Sequence, residues 1–172
     1  MTENPFSLSN LAPTWVGATE ILKGDTPGHP FRGNQYQEAL SATSKALGRA
    51  DTAVDMAANS HVETDRHGRP DPEMHQVTAE NHREIAELHR TAANALGRGV
   101  GEGRTPNEAT QKAIDANKLA ADAHDRVASI HARIANGNSA EDSSETRSAL
   151  RESANALSKT EMAHYRTSAL AN

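Results

Sequence analysis

The sequence predicts an all-α fold: an elongated bundle of three or four helices, coiled-coil-like with Ala-rich seams, behind an extended N-terminal arm. Three observations carry this. First, 30 of the 172 residues are Ala, the best helix former and the poorest core filler, which favours long helices meeting at thin seams over a β-rich or α/β body. Second, four of the five aromatics (Phe6, Trp15, Phe31, Tyr36) fall in the first 36 residues together with Pro5, Pro13, Pro27 and Pro30, so the large rings stand apart from the helix-forming stretch. Third, from Tyr36 onward small and apolar residues recur in alternating steps of four and three, the period of a helical seam.

Residues 1–33 read as the arm and residues 34–172 as the bundle, with helices at about 35–60, 72–97, 106–136 and 140–171. In the arm, Trp15, Ala18, Ile21 and Leu22 could share one face of a short turn that Gly24, Asp25 and Pro27 stop. Fully extended, the arm reaches on the order of 110 Å at about 3.3 Å per residue. It either grips a partner or folds back over its own helices. The first helix carries Tyr36, Leu40, Leu47, Ala50, Val54, Ala57 and His61, with Thr43 filling the gap. Residues 62–70 are polar and aperiodic, a loop. Asp71, Pro72 and Glu73 supply a cap, a first-turn proline and an early acid for the second helix. Gly97, Gly99, Gly101 and Gly103 then read as a flexible connector, because no strand precedes them as a phosphate-cradling loop requires. Thr105 to Glu108 read as a capping box with Pro106 at the first helical position. The third helix holds Ala109, Ala113, Ala116, Ala120, Ala123, Val127, Ile130 and Ile134, and Asn136 with Gly137 ends it. The last carries Leu150, Ala154, Leu157, Met162, Tyr165 and Ala169; this stripe skips a step near Lys159, which predicts a bend or a change of partner there.

Residues 79–93 align with residues 121–135 at an offset of 42, matching Ala, acid, His, β-branched, Ala, Leu or Ile, His and Ala. The second and third helices are therefore expected to do the same packing job. His75, His82 and His89 recur every seven residues, as do His124 and His131, each beside the apolar seam. In an antiparallel hairpin His82 would approach His131 and His89 would approach His124. Such pairs could bind a divalent metal through His82, His89, His124 and His131, or could loosen the bundle when both rings are charged near pH 6. Against metal, rings seven residues apart on one helix are separated by about 10.5 Å along its axis. The one Glu-x-x-His, Glu161 with His164, is half of what a di-iron bundle needs. The structural reading, histidines flanking the seam, is preferred, with no cofactor.

Other function classes find little support. There is no GxSxG elbow, no Walker loop and no Cys, so the expectation is a non-enzymatic protein. A net charge of −5, with Arg83, Arg90 and Arg98 interleaved among Glu84, Glu87 and Glu102, gives no phosphate-tracking stripe and does not point to nucleic acid. No stretch of about 18 apolar residues exists to cross a membrane, and the first 20 residues lack the pattern of a secretory signal.

One segment is not explained by composition: Gly28-His29-Pro30-Phe31-Arg32-Gly33-Asn34-Gln35-Tyr36, preceded by Lys23-Gly24-Asp25. It resembles the short GH[EP]F[HR]GNQ[YW] element found in proteins of tailed bacteriophages and prophages, especially of actinobacterial hosts and often near head-morphogenesis genes. The repeated Ala- and His-rich helices are similar to segments that accompany it. The resemblance covers nine to fourteen residues and implies a phage origin and a head or capsid association; it carries over no catalytic role. The leading expectation is a phage structural or accessory protein, in the virion or the host cytoplasm, that docks on a capsid or head protein and self-associates. Phe6, Trp15, His29, Phe31, Arg32, Asn34 and Tyr36 are the candidate partner-binding residues. The alternatives are a small phage effector that binds a host protein or sequesters a small ligand, and a metal- or pH-responsive bundle.

Overall fold

A computed structural model describes residues 33–62, 71–101, 104–137 and 143–171. Among these residues there are four long helices and no strand: α1 (Asn34–Val62), α2 (Pro72–Val100), α3 (Glu108–Ala135) and α4 (Ser143–Ser168), the last running into a 3-10 turn, Ala169–Ala171. Each helix packs against two neighbours, in the ring α1, α2, α3, α4 and back to α1. Partners across the ring fix an antiparallel up-and-down order: Arg98 pairs with Glu38, His75 meets His131, Asn117 bonds Thr167, and Tyr36 Oη donates to the Ser168 carbonyl. At about 1.5 Å per residue each rod is roughly 40 Å long. No described helix is long and apolar enough to cross a membrane.

The seams are unbroken heptads of small residues. In α1 the buried line is Tyr36, Ala39, Thr43, Ala46, Ala50, Ala53, Ala57 and Ser60; in α4 it is Ala149, Ser153, Ala156, Thr160, Ala163, Thr167 and Leu170. Of the bulkier residues expected at the seam, Val127 and Ile130 are buried in it, and others lie beside it. Leu40, Leu47, Val54, Leu157 and Ile134 are half-buried flanks, Ala109 is exposed, and Leu150, Met162 and Tyr165 face outward, Tyr165 at 69% exposure. A methyl-lined seam draws helix axes toward the short end of the usual 8–10 Å, leaving room for few branched side chains between them, Ile85 and Val127 among those that do fit. The skipped step read near Lys159 is not in the buried stripe, which runs Ser153, Ala156, Thr160, Ala163 through a continuous helix.

The helix ends follow their caps. Asp71 caps α2 by accepting from Glu73 N at 3.0 Å, with Pro72 behind it. In α3 the cap falls two residues later than the expected Thr105: Asn107 Oδ1 accepts from Thr110 N at 2.8 Å and from Thr110 Oγ1 at 2.9 Å. The expected glycine connector begins late too. Gly97 and Gly99 lie inside α2, and the helix ends only at Gly101, whose φ of 84° suits glycine.

Candidate functional site

The bundle interior is a ladder of histidines. His75, His82, His89 and His131 are fully buried, and His124 is 1% exposed. They occupy the centre of the α2 and α3 seams and not their flanks, alternating with Thr78, Ile85 and Ala92 on α2 and with Ala120 and Val127 on α3. The rings pair across the hairpin in a register one step from that expected. His75 Nδ1 meets His131 Nδ1 at 2.9 Å, and His82 Nδ1 meets His124 Nδ1 at 2.8 Å. The pairs expected from the sequence are instead the stacking contacts between rungs: His82 on His131 at 6.2 Å and His89 on His124 at 6.0 Å between ring centroids.

Helix α4 supplies the side of the ladder that sequence reasoning missed. The Thr160 hydroxyl lies 2.9 Å from both His89 Nε2 and His124 Nε2. Asn117, one heptad before His124 on α3, holds His89 Nδ1 at 2.9 Å through Oδ1, while its Nδ2 donates to the Ala113 carbonyl at 2.9 Å and to Thr167 Oγ1 at 3.1 Å. The signal was present in the spacing: Asn117 shares the sevenfold register of His124 and His131, and Ser153, Thr160 and Thr167 repeat it on α4.

This network fixes every proton in its lower part. A backbone carbonyl only accepts, so the Asn117 amide nitrogen points at Ala113 O and its oxygen at His89. His89 then donates from Nδ1 and, being neutral, accepts on Nε2 from the Thr160 hydroxyl. Thr160 in turn accepts from His124 Nε2–H, which leaves His124 Nδ1 as acceptor for His82 Nδ1–H. The chain runs one way, His82 to His124 to Thr160 to His89 to Asn117. His82 Nε2 remains a bare lone pair, and it is buried without a partner.

The other end is not closed. His61, at the end of α1, joins His75 and His131 in a triangle with centroid separations of 5.0, 5.5 and 5.1 Å. Among the described residues the Nε2 atoms of all three are buried and unpartnered. Two neutral rings joined through their Nδ1 atoms share one proton there, so one of them must carry an Nε2–H with no acceptor among the described residues, a costly arrangement in a buried core.

Burial holds all of these rings neutral. It pulls His82 down to about 4. His75 also falls to about 4 through burial and the neighbouring His61, with Asp71 opposing. His124 and His131 fall to about 3, through burial first and then the adjacent imidazoles. His89, His61 and His164 are lowered for the same first reason. As to metal, the expected set His82, His89, His124 and His131 is spread over successive rungs and bonded in pairs. Among the described residues no three His, Cys, Asp or Glu side chains are grouped to hold an ion.

Of the partner-binding candidates, Phe6, Trp15, His29, Phe31 and Arg32 lie outside the described residues. Asn34 is the exposed first residue of α1. Tyr36, read from the sequence both as an arm anchor and as the first residue of the α1 seam, holds the second place: it is 5% exposed in the bundle's own core with Ala39, Leu96, Ile114 and Leu170. Comparison with protein-family models, with curated proteins and with solved structures finds no match to this chain.

Proposed function

We propose that this chain is a non-enzymatic helical scaffold whose packing is set by pH. The observation that supports it is the ladder: five imidazoles buried at the centre of the bundle, four of them joined Nδ1 to Nδ1 in two pairs, a contact that fails once both rings of a pair are charged. Unfolded histidine titrates near 6.5, whereas His75 and His82 in the fold titrate at about 4 and His124 and His131 at about 3. Above about pH 6.5 neither state binds these protons and the ladder's stability is fully present. As pH falls from 6.5 toward 4, the unfolded chain takes up protons that the fold refuses. Each ring then removes about 1.4 kcal/mol per pH unit. Four rings together remove roughly 5–6 kcal/mol per unit, comparable with the whole stability of a domain, about 5–15 kcal/mol. Thermal melts at pH 7.5 and 5.5 test this. The expected result is a Tm lower by about 10 °C or more at the acid value, and an unchanged Tm removes the reading. Zn²⁺ in the neutral sample separates the metal alternative, since a metal-responsive bundle would melt higher with the ion.

A second reading concerns where such a scaffold works, and the resemblance of residues 28–36 to a phage element favours it. Of that element, Asn34 opens α1 and Tyr36 is built into the bundle core. On this reading the chain is a virion-associated accessory protein that docks on a head or capsid protein through Phe6, Trp15, His29, Phe31, Arg32 and Asn34. Deleting residues 1–33 should leave a helical body that no longer enters particles; normal incorporation would defeat the proposal.

A further inference from the structure

The three rungs of the ladder follow one plan. α2 supplies His75, His82 and His89; α3 supplies His131, His124 and Asn117; α4 supplies Ser153, Thr160 and Thr167. The 42-residue offset that aligns α2 with α3 carries His75 onto Asn117 and His89 onto His131. The two outer rungs are therefore counterparts, His75 with His131 at one end and Asn117 with His89 at the other. They differ in two respects. At the closed end Asn117 receives the His89 N–H and passes its own amide hydrogens to Ala113 O and Thr167. At the open end a histidine stands where the counterpart has asparagine, and a serine stands where α4 elsewhere has threonine. The Ser153 hydroxyl is turned onto its own helix, at 2.9 Å from Ala149 O, and three Nε2 atoms are left without partners.

We infer that acid opens the bundle from this one end, with the His61–His75–His131 rung as the site of proton uptake and the Asn117 rung as the part that holds longest. The inference rests on the pH-responsive reading above. A proton needs a free lone pair. At the closed end the lone pairs of His89 and His124 are already bonded, to Thr160 and His82, so protonation there breaks the chain. At the open end a ring can take a proton without giving up a bond; His82 also keeps a bare Nε2, but it lies one rung further in and burial alone acts on it, whereas Asp71 assists His75. Access differs as well: His61 is only half-buried in the last turn of α1, whereas His89 is fully enclosed. The groups that act on this rung are His61 from α1 and Asp71 and His82 from α2; on α4 the sevenfold register puts the uncharged, buried Ser153 level with it. Asp71 is the carboxylate acting on His75, and it favours the first proton. The remaining neighbours are imidazoles, so a second proton sets like charges on rings about one ring-width apart. They are relieved by parting α1 and α3 from α2.

Amide hydrogen exchange of the full chain, followed by peptide mass spectrometry from pH 7.5 to 4.5 and corrected for intrinsic rates, reads this directly. Protection in residues 54–62, 72–80 and 127–135 should fall by roughly tenfold or more before residues 36–46, 92–100 and 110–118 change. Simultaneous loss along the helices, or first loss at the Tyr36 end, overturns the inference while leaving the pH-responsive reading intact. Unchanged protection at both ends down to pH 4.5 overturns both. The double variant His75→Asn with Ser153→Thr gives the open rung the residue types of the closed one and removes one of its three imidazoles. Its acid midpoint should move down by about half a pH unit or more. A midpoint that stays put in a variant still helical at pH 7.5 overturns the inference, and if the variant does not fold the exchange pattern of the native chain decides alone.

Discussion

Thr160 shows how much one hydroxyl carries in this core. It closes two rungs at once, giving its hydrogen to His89 and taking one from His124. Thr160→Val keeps the shape and removes both bonds, leaving an imidazole N–H and an imidazole lone pair facing a methyl group. The expected loss is about 1–3 kcal/mol in urea unfolding at pH 7.5. Asn117→Leu should cost more, since it also strands Thr167 and frees the Ala113 carbonyl. The histidine spacing was plain in the sequence, and an antiparallel hairpin was the arrangement under which the rings would meet. Their central position was not, because a polar ring beside a run of methyl groups reads as a flank until its partners are known. Those partners, Asn117 and Thr160, look like ordinary solvent-facing residues unless their own sevenfold spacing is laid against that of the histidines.

At the scale of the element, α4 separates bulk from burial. Leu150, Met162 and Tyr165 drew the expected stripe because they are large, yet the helix buries Ala149, Ser153, Ala156, Thr160, Ala163 and Thr167. The composition correctly foretold thin seams; it could not say that the larger apolar residues would be the ones excluded from them. Ala163, fully buried against Ala116 and Ala120, should tolerate no growth: Ala163→Leu is expected to cost about 1–3 kcal/mol by forcing α3 and α4 apart. Met162→Gln, one position away but 47% exposed, should change stability by less than about 0.5 kcal/mol. Measured together by thermal melting, the pair distinguishes this register from the one read off residue size. At the α3 start, Asn107→Ala should cost about 1 kcal/mol, whereas Thr105→Ala should be nearly silent, because the cap sits at Asn107.

Across the whole molecule, the four-helix architecture and its order were legible from period, caps and loop positions. The similarity of α2 and α3 was legible from their repeat: Ala79, His82, Ile85 and Ala86 occupy buried sites like those of Ala121, His124, Val127 and Ala128. The repeat did not reveal that its two copies meet at their own equivalent residue, His82 with His124. The one-way run of donors from His82 to Asn117 has a consequence for the molecule as a unit. Its polarity is set by a single backbone carbonyl, that of Ala113, and no ring along the way can exchange its tautomer alone without pointing two hydrogens, or two lone pairs, at the same gap. Three helices thus share one bit of directional memory. Nitrogen-15 shifts of His82, His124 and His89 should therefore report one fixed tautomeric pattern, and replacing Asn117 should scramble a ring as distant as His82.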